Sequence, residues 1–122
     1  MLKILTIDDS RVMRQMLEAT LTGAGHAAVQ ASDGMEGLES LDGNDRFDLI
    51  ITDINMPRLD GFGFIERARQ HPTHRTTPIL VLSTESGEDK KARARNAGAS
   101  GWIVKPFNSE TLLRAVRRVT AS

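Results

Sequence analysis

FDLIITDINMPRLDG, residues 47–61, is the stretch whose reading decides the fold. Phe47, Leu49, Ile50 and Ile51 make a short, continuously apolar run, the pattern of a strand covered on both faces, as in parallel sheets flanked by helices. The run stops on Asp53, and Asn55, Pro57, Asp60 and Gly61 follow with the composition of a turn. An acid at the end of a buried strand has two readings: it caps or exits the strand, or it is held there for chemistry. What else reaches the same edge of the sheet decides between them.

Outward from this stretch, strand and helix alternate. Residues 2–7, LKILTI, read as a first strand, and Asp8, Asp9 and Ser10 end it, with Ser10 as N-cap of a helix. Met13, Met16, Leu17, Thr20 and Leu21 give that helix one core-facing stripe, and Gly23 and Gly25 stop it. His26–Ala31 form a short second strand. Asp33 with Glu36 then makes a capping box for a helix carrying Met35, Leu38 and Leu41, with a polar exit at 43–46. After the opening stretch, Phe62, Ile65 and Ala68 mark a helix ending by Pro72, and a polar loop runs to Thr77. Ile79–Leu82 are a strand closing on Ser83 and Thr84. A helix poor in apolar residues spans about 88–97 and is capped by Gly98. Trp102, Ile103 and Val104 form the last strand, Lys105 and Pro106 end it, and Leu112, Leu113, Val116 and Val119 line the last helix.

Composition excludes several classes. The chain has 122 residues, enough for one domain, and no cysteine, which removes disulfides, thiolate metal sites and a cysteine nucleophile. No apolar run approaches the roughly 20 residues of a membrane span, and the apolar start meets Asp8 and Asp9 too early for a signal peptide. The expectation is a cytoplasmic monomer with no membrane partner. Net charge is zero, yet residues 1–87 carry 8 basic and 13 acidic side chains while residues 88–122 carry 8 and 3. The basic last third, with Lys90, Lys91, Arg93, Arg95, Arg114, Arg117 and Arg118, is either a set of solvated helix faces or a docking surface for an acidic partner. Without aromatic interleaving or a nucleic-acid-binding motif, direct nucleic-acid binding is not expected.

Alternation of this kind implies right-handed crossovers and an α/β fold: a five-stranded parallel sheet of order 2-1-3-4-5, flavodoxin-like, with helices on both faces. Ligands then bind beyond the carboxyl ends of the strands, between strands 1 and 3. At those ends stand Asp8 and Asp9 (strand 1), Asp53 (strand 3), Ser83 (strand 4) and Lys105 (strand 5). Carboxylates about 4 Å apart repel by about 4 kcal/mol per pair at an effective dielectric near 20. Lys105 offsets one charge, and a divalent cation with hard oxygen ligands, Mg²⁺ by this chemistry, offsets the rest. A phosphate commonly completes such a site. Asp53 then serves as nucleophile, with Ser83 and Lys105 as donors to phosphoryl oxygens.

The acidic pair Asp8-Asp9, DINMPRLDG around Asp53, Ser83 after ILVL, and Lys105-Pro106-Phe107 preceded by GASGWIV together resemble a response-regulator receiver domain of the single-domain chemotaxis type. The resemblance spans 1–122, with no output domain. It implies phosphorylation of Asp53 by a histidine kinase, with Mg²⁺ held by Asp8, Asp9, Asp53 and the Asn55 main-chain carbonyl. It further implies a cis Lys105-Pro106 peptide, movement of Ser83 on phosphorylation, and inward rotation of Trp102. The face built from the fourth helix, fifth strand and fifth helix would then bind an output protein such as a flagellar motor switch component. By the same resemblance, Asn55 and Glu85 would flank the phosphoryl group at positions that tune dephosphorylation, with an ordinary turn residue and a solvated acid as their alternatives. Two positions depart from the common pattern: Ser83 replaces the more frequent Thr, with Thr84 as a competing register, and Trp102 replaces Tyr or Phe, leaving a half-packed edge-strand Trp as its alternative. His26, His71 and His74 carry no expected metal or catalytic role.

Three alternatives accompany this reading. One is a phosphate sink or shuttle without an output contact, and another is a stand-alone regulator of a different pathway. The last is a phosphatase of the haloacid dehalogenase type, which uses a second Asp two residues after its nucleophile, where this chain has Asn55.

Overall fold

The structure, a computed structural model, describes residues 1–43 and 46–121. Asn44 and Asp45, within the expected polar exit at 43–46, lie outside the described residues. Among the described residues ten elements alternate: β1 (Lys3–Ile7), α1 (Arg11–Gly23), β2 (Ala27–Ala31), α2 (Gly34–Leu41), β3 (Leu49–Thr52), α3 (Gly61–Ala68), β4 (Ile79–Ser83), α4 (Glu88–Ala97), β5 (Gly101–Val104) and α5 (Ser109–Thr120). The five strands form one parallel sheet of order β2-β1-β3-β4-β5, as the alternation predicts.

Period-two alternation sorts each strand's side chains between two cores. Leu5, Ile7, Ile50, Ile79 and Val81 pack with Phe62, Phe64 and Ile65 of α3, Leu41 of α2 and Ala94 of α4. Ile4, Leu49, Ile51, Leu80 and Leu82 pack on the opposite face with Leu17 and Leu21 of α1 and Leu112, Ala115 and Val116 of α5. β3 and β4 lie mid-sheet and are buried at every residue. That double covering is why their sequences run apolar without interruption.

Helix starts follow side-chain caps. Ser10 accepts from the Met13 N–H, Asp33 from Glu36, Asp60 from Gly63 and Asn108 from Thr111. Gly98 ends α4 at φ 121°, a conformation that L side chains rarely adopt. α4 is the least anchored helix, with Ala94 its one fully buried residue.

Two expectations are corrected, and one loop is more buried than its composition suggests. Met16 does not join the α1 stripe: it is 39% exposed, because the buried seam runs through Leu17 and Leu21, one turn apart, with Met13 half-buried beside them. Phe47 is buried but precedes the strand, which begins at Leu49. The segment before β4 is polar in sequence yet partly internal. His74 is fully buried there, its Nδ1 3.1 Å from Thr77 Oγ1 and its ring 5.9 Å from that of Phe47, while its Nε2 has no hydrogen-bond partner among the described residues.

Gly61 joins this fold to the acceptor strand, because a Cβ there would lie 2.3 Å from the Asp53 carbonyl oxygen and 2.8 Å from Ile54 Cα. Backbone cannot give way as a flexible side chain does, so Gly61→Ala is expected to lower the unfolding free energy by about 2 kcal/mol, read by urea denaturation. Burial first, then His71 and Arg46, lower the pKa of His74. The folded state therefore favours neutral imidazole, while the unfolded chain takes up a proton near about pH 6.5. The stability contribution is full above that pH and is lost as pH falls through it. Unfolding free energy is expected to decline from pH 7.5 to 5.5, and His74→Leu to make that decline shallower whatever its effect on stability at neutral pH.

Candidate functional site

The site is assembled where strands end. Ile7 pairs with Thr52, so Asp8 and Asp53 leave neighbouring strands side by side, and the Asp53 N–H donates to the Ile7 carbonyl at 3.0 Å. Asp8 is 1% exposed. Its Oδ1 accepts from the Ser10 N–H at 2.9 Å, and its carbonyl accepts from Arg14 Nη1 at 2.6 Å, which ties the start of α1 to the acid. Asp53 is 8% exposed, and its Oδ1 accepts from the Ile54 N–H at 2.6 Å.

Lys105 arrives from β5, two strands away from β3. Its main-chain N–H donates to the Ser83 carbonyl at 2.8 Å, and its peptide bond to Pro106 is cis. The ammonium lies between the two carboxylates, donating to Asp8 Oδ2 at 2.8 Å and to Asp53 Oδ2 at 3.0 Å. Burial alone would lower its pKa. The hydrogen bonds and negative charges of Asp8 and Asp53 outweigh that burial and leave the pKa raised, so the group stays cationic through the neutral range.

Asp9 is exposed and completes a cluster: one oxygen each from Asp8, Asp9 and Asp53 lie within 4.8 Å of one another. Hard oxygen donors fit a small divalent cation. Carboxylate oxygens gathered this closely are the donor set that Mg²⁺ takes. Lys105 offsets one of three negative charges, and the remaining two match a dication.

Ser83 ends β4 fully buried, whereas Thr84 is exposed. The Glu85 N–H donates to Ser83 Oγ at 3.2 Å, and the Glu85 carbonyl accepts from Trp102 Nε1 at 2.9 Å. Glu85 also faces Lys90 Nζ at 2.9 Å and Asn55 Nδ2 at 3.4 Å. Those two partners, Lys90 first, hold its carboxyl below the usual glutamate range. One residue thus joins β4, β5, α4 and the turn after Asp53. Nothing in its sequence position signals this, because the partners lie 2, 5, 17 and 30 residues away and converge only in the fold.

Two further features escape sequence reading. Arg58, within the turn after Asp53, donates from Nε to Asp33 Oδ2 at 2.7 Å and from Nη2 to Asp33 Oδ1 at 3.1 Å. Asp33 appears in the sequence only as a cap. A groove of about 730 Å³ runs between β5 and α5, lined by Trp102, Val104, Phe107, Arg114 and Arg118 among others, on the basic third and apart from the carboxylates. His26 and His71 take structural partners: His26 Nδ1 accepts from the Leu2 N–H at 3.1 Å, and His71 Nε2 lies 3.2 Å from Asp42 Oδ1. Among the described residues, no helix is long and apolar enough to cross a membrane.

Comparison with known proteins places this arrangement. Chemotaxis protein CheY1 of Helicobacter pylori is 36% identical over 112 residues, which cover 91% of this chain and 90% of that one. The solved structure of the chemotaxis response regulator CheY4 of Vibrio cholerae superposes with a TM-score of 0.92 at 46% identity, covering 98% of both chains. The receiver domain of a sensor histidine kinase from Pseudomonas aeruginosa, solved with a magnesium ion coordinated in its active-site cleft, superposes with a TM-score of 0.91 at 27% identity, covering 99% of this chain and 98% of that one. The family profile matching residues 4–117 is the response regulator receiver domain, and to that family this chain belongs.

Proposed function

We propose that the chain is a phosphoacceptor response regulator of chemotaxis type, with Asp53 as the residue that a histidine kinase phosphorylates. The observation that carries this is the Lys105 ammonium held between Asp8 and Asp53, with Asp9 beside them. A nucleophilic carboxylate must be ionised, reachable and flanked by positive charge that can follow it into the transition state. Asp53 is placed for this: its side chain, though only 11% exposed, is not sealed off, and it is already bonded to the lysine.

An Asp53 oxygen attacks the phosphorus of a donor phosphohistidine. The new O–P bond forms as the N–P bond breaks, and the imidazole leaves with the electron pair. Lys105 moves its hydrogen bond from Asp53 toward a phosphoryl oxygen, and Ser83 Oγ offers another donor. Bound Mg²⁺, held by Asp8, Asp9, Asp53 and the Asn55 carbonyl, would neutralise charge on the transferring group. Hydrolysis of the acyl phosphate by water restores Asp53, with Asn55 and Glu85 flanking the path.

The output follows from Glu85. Ser83 Oγ accepts its N–H, so a serine drawn toward the phosphoryl group gives up that bond, and the Glu85 carbonyl that holds Trp102 Nε1 shifts with it. The neighbouring α4-β5-α5 surface is basic, which favours an acidic docking partner such as a flagellar motor switch component. Similarity to chemotaxis proteins supports that class of partner.

Incubation with Mg²⁺ and acetyl phosphate is expected to add one phosphate by intact mass, and Asp53→Asn or chelation of the metal to abolish it. An adduct that survives both would place the acceptor elsewhere. Affinity for a motor switch component is expected to rise at least tenfold with beryllofluoride present, measured by calorimetry. Equal affinities would remove the output role and favour a phosphate sink.

A further inference from the structure

Arg58 has φ 68° and, among the described residues, is the one non-glycine residue in the left-handed region. The Leu59 N–H donates to the Pro57 carbonyl at 2.8 Å, so Arg58 is the centre of a three-residue turn. Such turns with positive φ are rare and strained, and strain persists only where surroundings enforce it. Here the surroundings are identifiable. The Arg58 guanidinium grips both oxygens of Asp33, which is 7% exposed and also caps α2 through the Glu36 N–H at 2.8 Å. Next to this pair the α2 backbone and the turn are in close approach: a Cβ on Gly34 would lie 2.3 Å from the Leu59 carbonyl oxygen. At the base of the same loop the Gly61 N–H donates to the Ile54 carbonyl at 2.8 Å. The segment is therefore tied at its base and at its tip, and Asn55 lies between the ties.

We propose that Asp33 and Arg58 form a positioning clamp for the acceptor site, a bidentate ion pair that holds the strained turn and thereby fixes the backbone of Asn55, whose main-chain carbonyl would be a ligand of the cation. This rests on the functional reading above. Neither residue touches the reacting atoms; both act through Asn55. A plain surface ion pair between long exposed side chains would contribute little. This one differs in having a buried, doubly bonded acid and a strained residue on the other side, the arrangement by which outer-shell groups orient metal ligands.

Charge supplies the discriminating sign. If Asp33 and Arg58 acted on Mg²⁺ only through their fields, removing the arginine would tighten cation binding and removing the acid would weaken it. A clamp predicts weakening from either change.

The test titrates Mg²⁺ by calorimetry into the full chain, Arg58→Gly, Asp33→Asn and the double variant. Glycine relieves the positive φ as it removes the pair, and asparagine keeps the α2 cap, so both variants retain the means to fold. Each single variant is expected to weaken Mg²⁺ binding roughly tenfold, and the double variant to weaken it no further. Faster amide exchange at Leu59 is expected in both singles, with the melting temperature of Arg58→Gly close to that of the unsubstituted chain. Tighter or unchanged binding in Arg58→Gly, or losses that multiply in the double variant, would overturn the clamp while leaving the functional reading intact. No Mg²⁺ binding by the unsubstituted chain would overturn both.

Discussion

The ammonium of Lys105 lies between the carboxylates of Asp8 and Asp53, a contact that constrains which strand ends must meet. The two acid side chains are 1% and 11% exposed and the lysine 11%, so none of the three is well solvated. Removing one partner from a buried ion pair typically costs about 3–5 kcal/mol, because it leaves an uncompensated charge. To make the contact, strand order must set β1 beside β3, and β5 must deliver its lysine across the end of β4. Parallel strands meet this demand as a group, since all five carboxyl ends lie on one edge. The helices then follow as the crossovers that such strands need.

Around that rigid centre the structure becomes progressively looser toward α4. β3 and β4 are buried throughout, whereas α4 contributes one fully buried residue and otherwise rests on contacts at its margins. Arg93 lies over the Phe62 ring at 4.0 Å, and Arg69 of the α3 C-cap donates to the Gly98 carbonyl at 2.7 Å. Few apolar contacts mean a low local stability, the property from which switching elements are drawn. Glu85 bridges the two regimes, with its backbone bonded to Ser83 and Trp102 and its carboxylate to Lys90. A small displacement at the strand edge therefore has a direct connection to the least anchored helix.

Most of the fold was legible because its determinants are local and periodic. Apolar runs such as Ile79–Leu82, caps such as Ser10 and Asp33, and stop residues such as Gly98 act within a few neighbours in the chain. Right-handed crossovers reduce that list to a few sheet orders, of which 2-1-3-4-5 is the common one for five units. Where the reading failed, the deciding neighbours were distant. Met16 fits the stripe of α1 by spacing, yet the seam against β1 and α5 is narrower than the stripe and leaves it outside. His74 stands in a polar segment, and packing on Phe47, 27 residues earlier, helps to make it internal.

By itself, then, the order of residues determined the parallel α/β sheet, the family, and which acids, hydroxyl and lysine stand at the strand ends. The sheet and the strand-end groups follow from periodicity and turn chemistry, which are properties of neighbouring residues, and the family from the resemblance of the motifs at those ends. Tertiary structure alone decided which of those groups touch: the Lys105 bridge, the four-way junction at Glu85 and the Asp33–Arg58 pair. Such contacts join side chains up to 97 residues apart, and their geometry depends on rotamers and helix placement that emerge only after the two cores have packed.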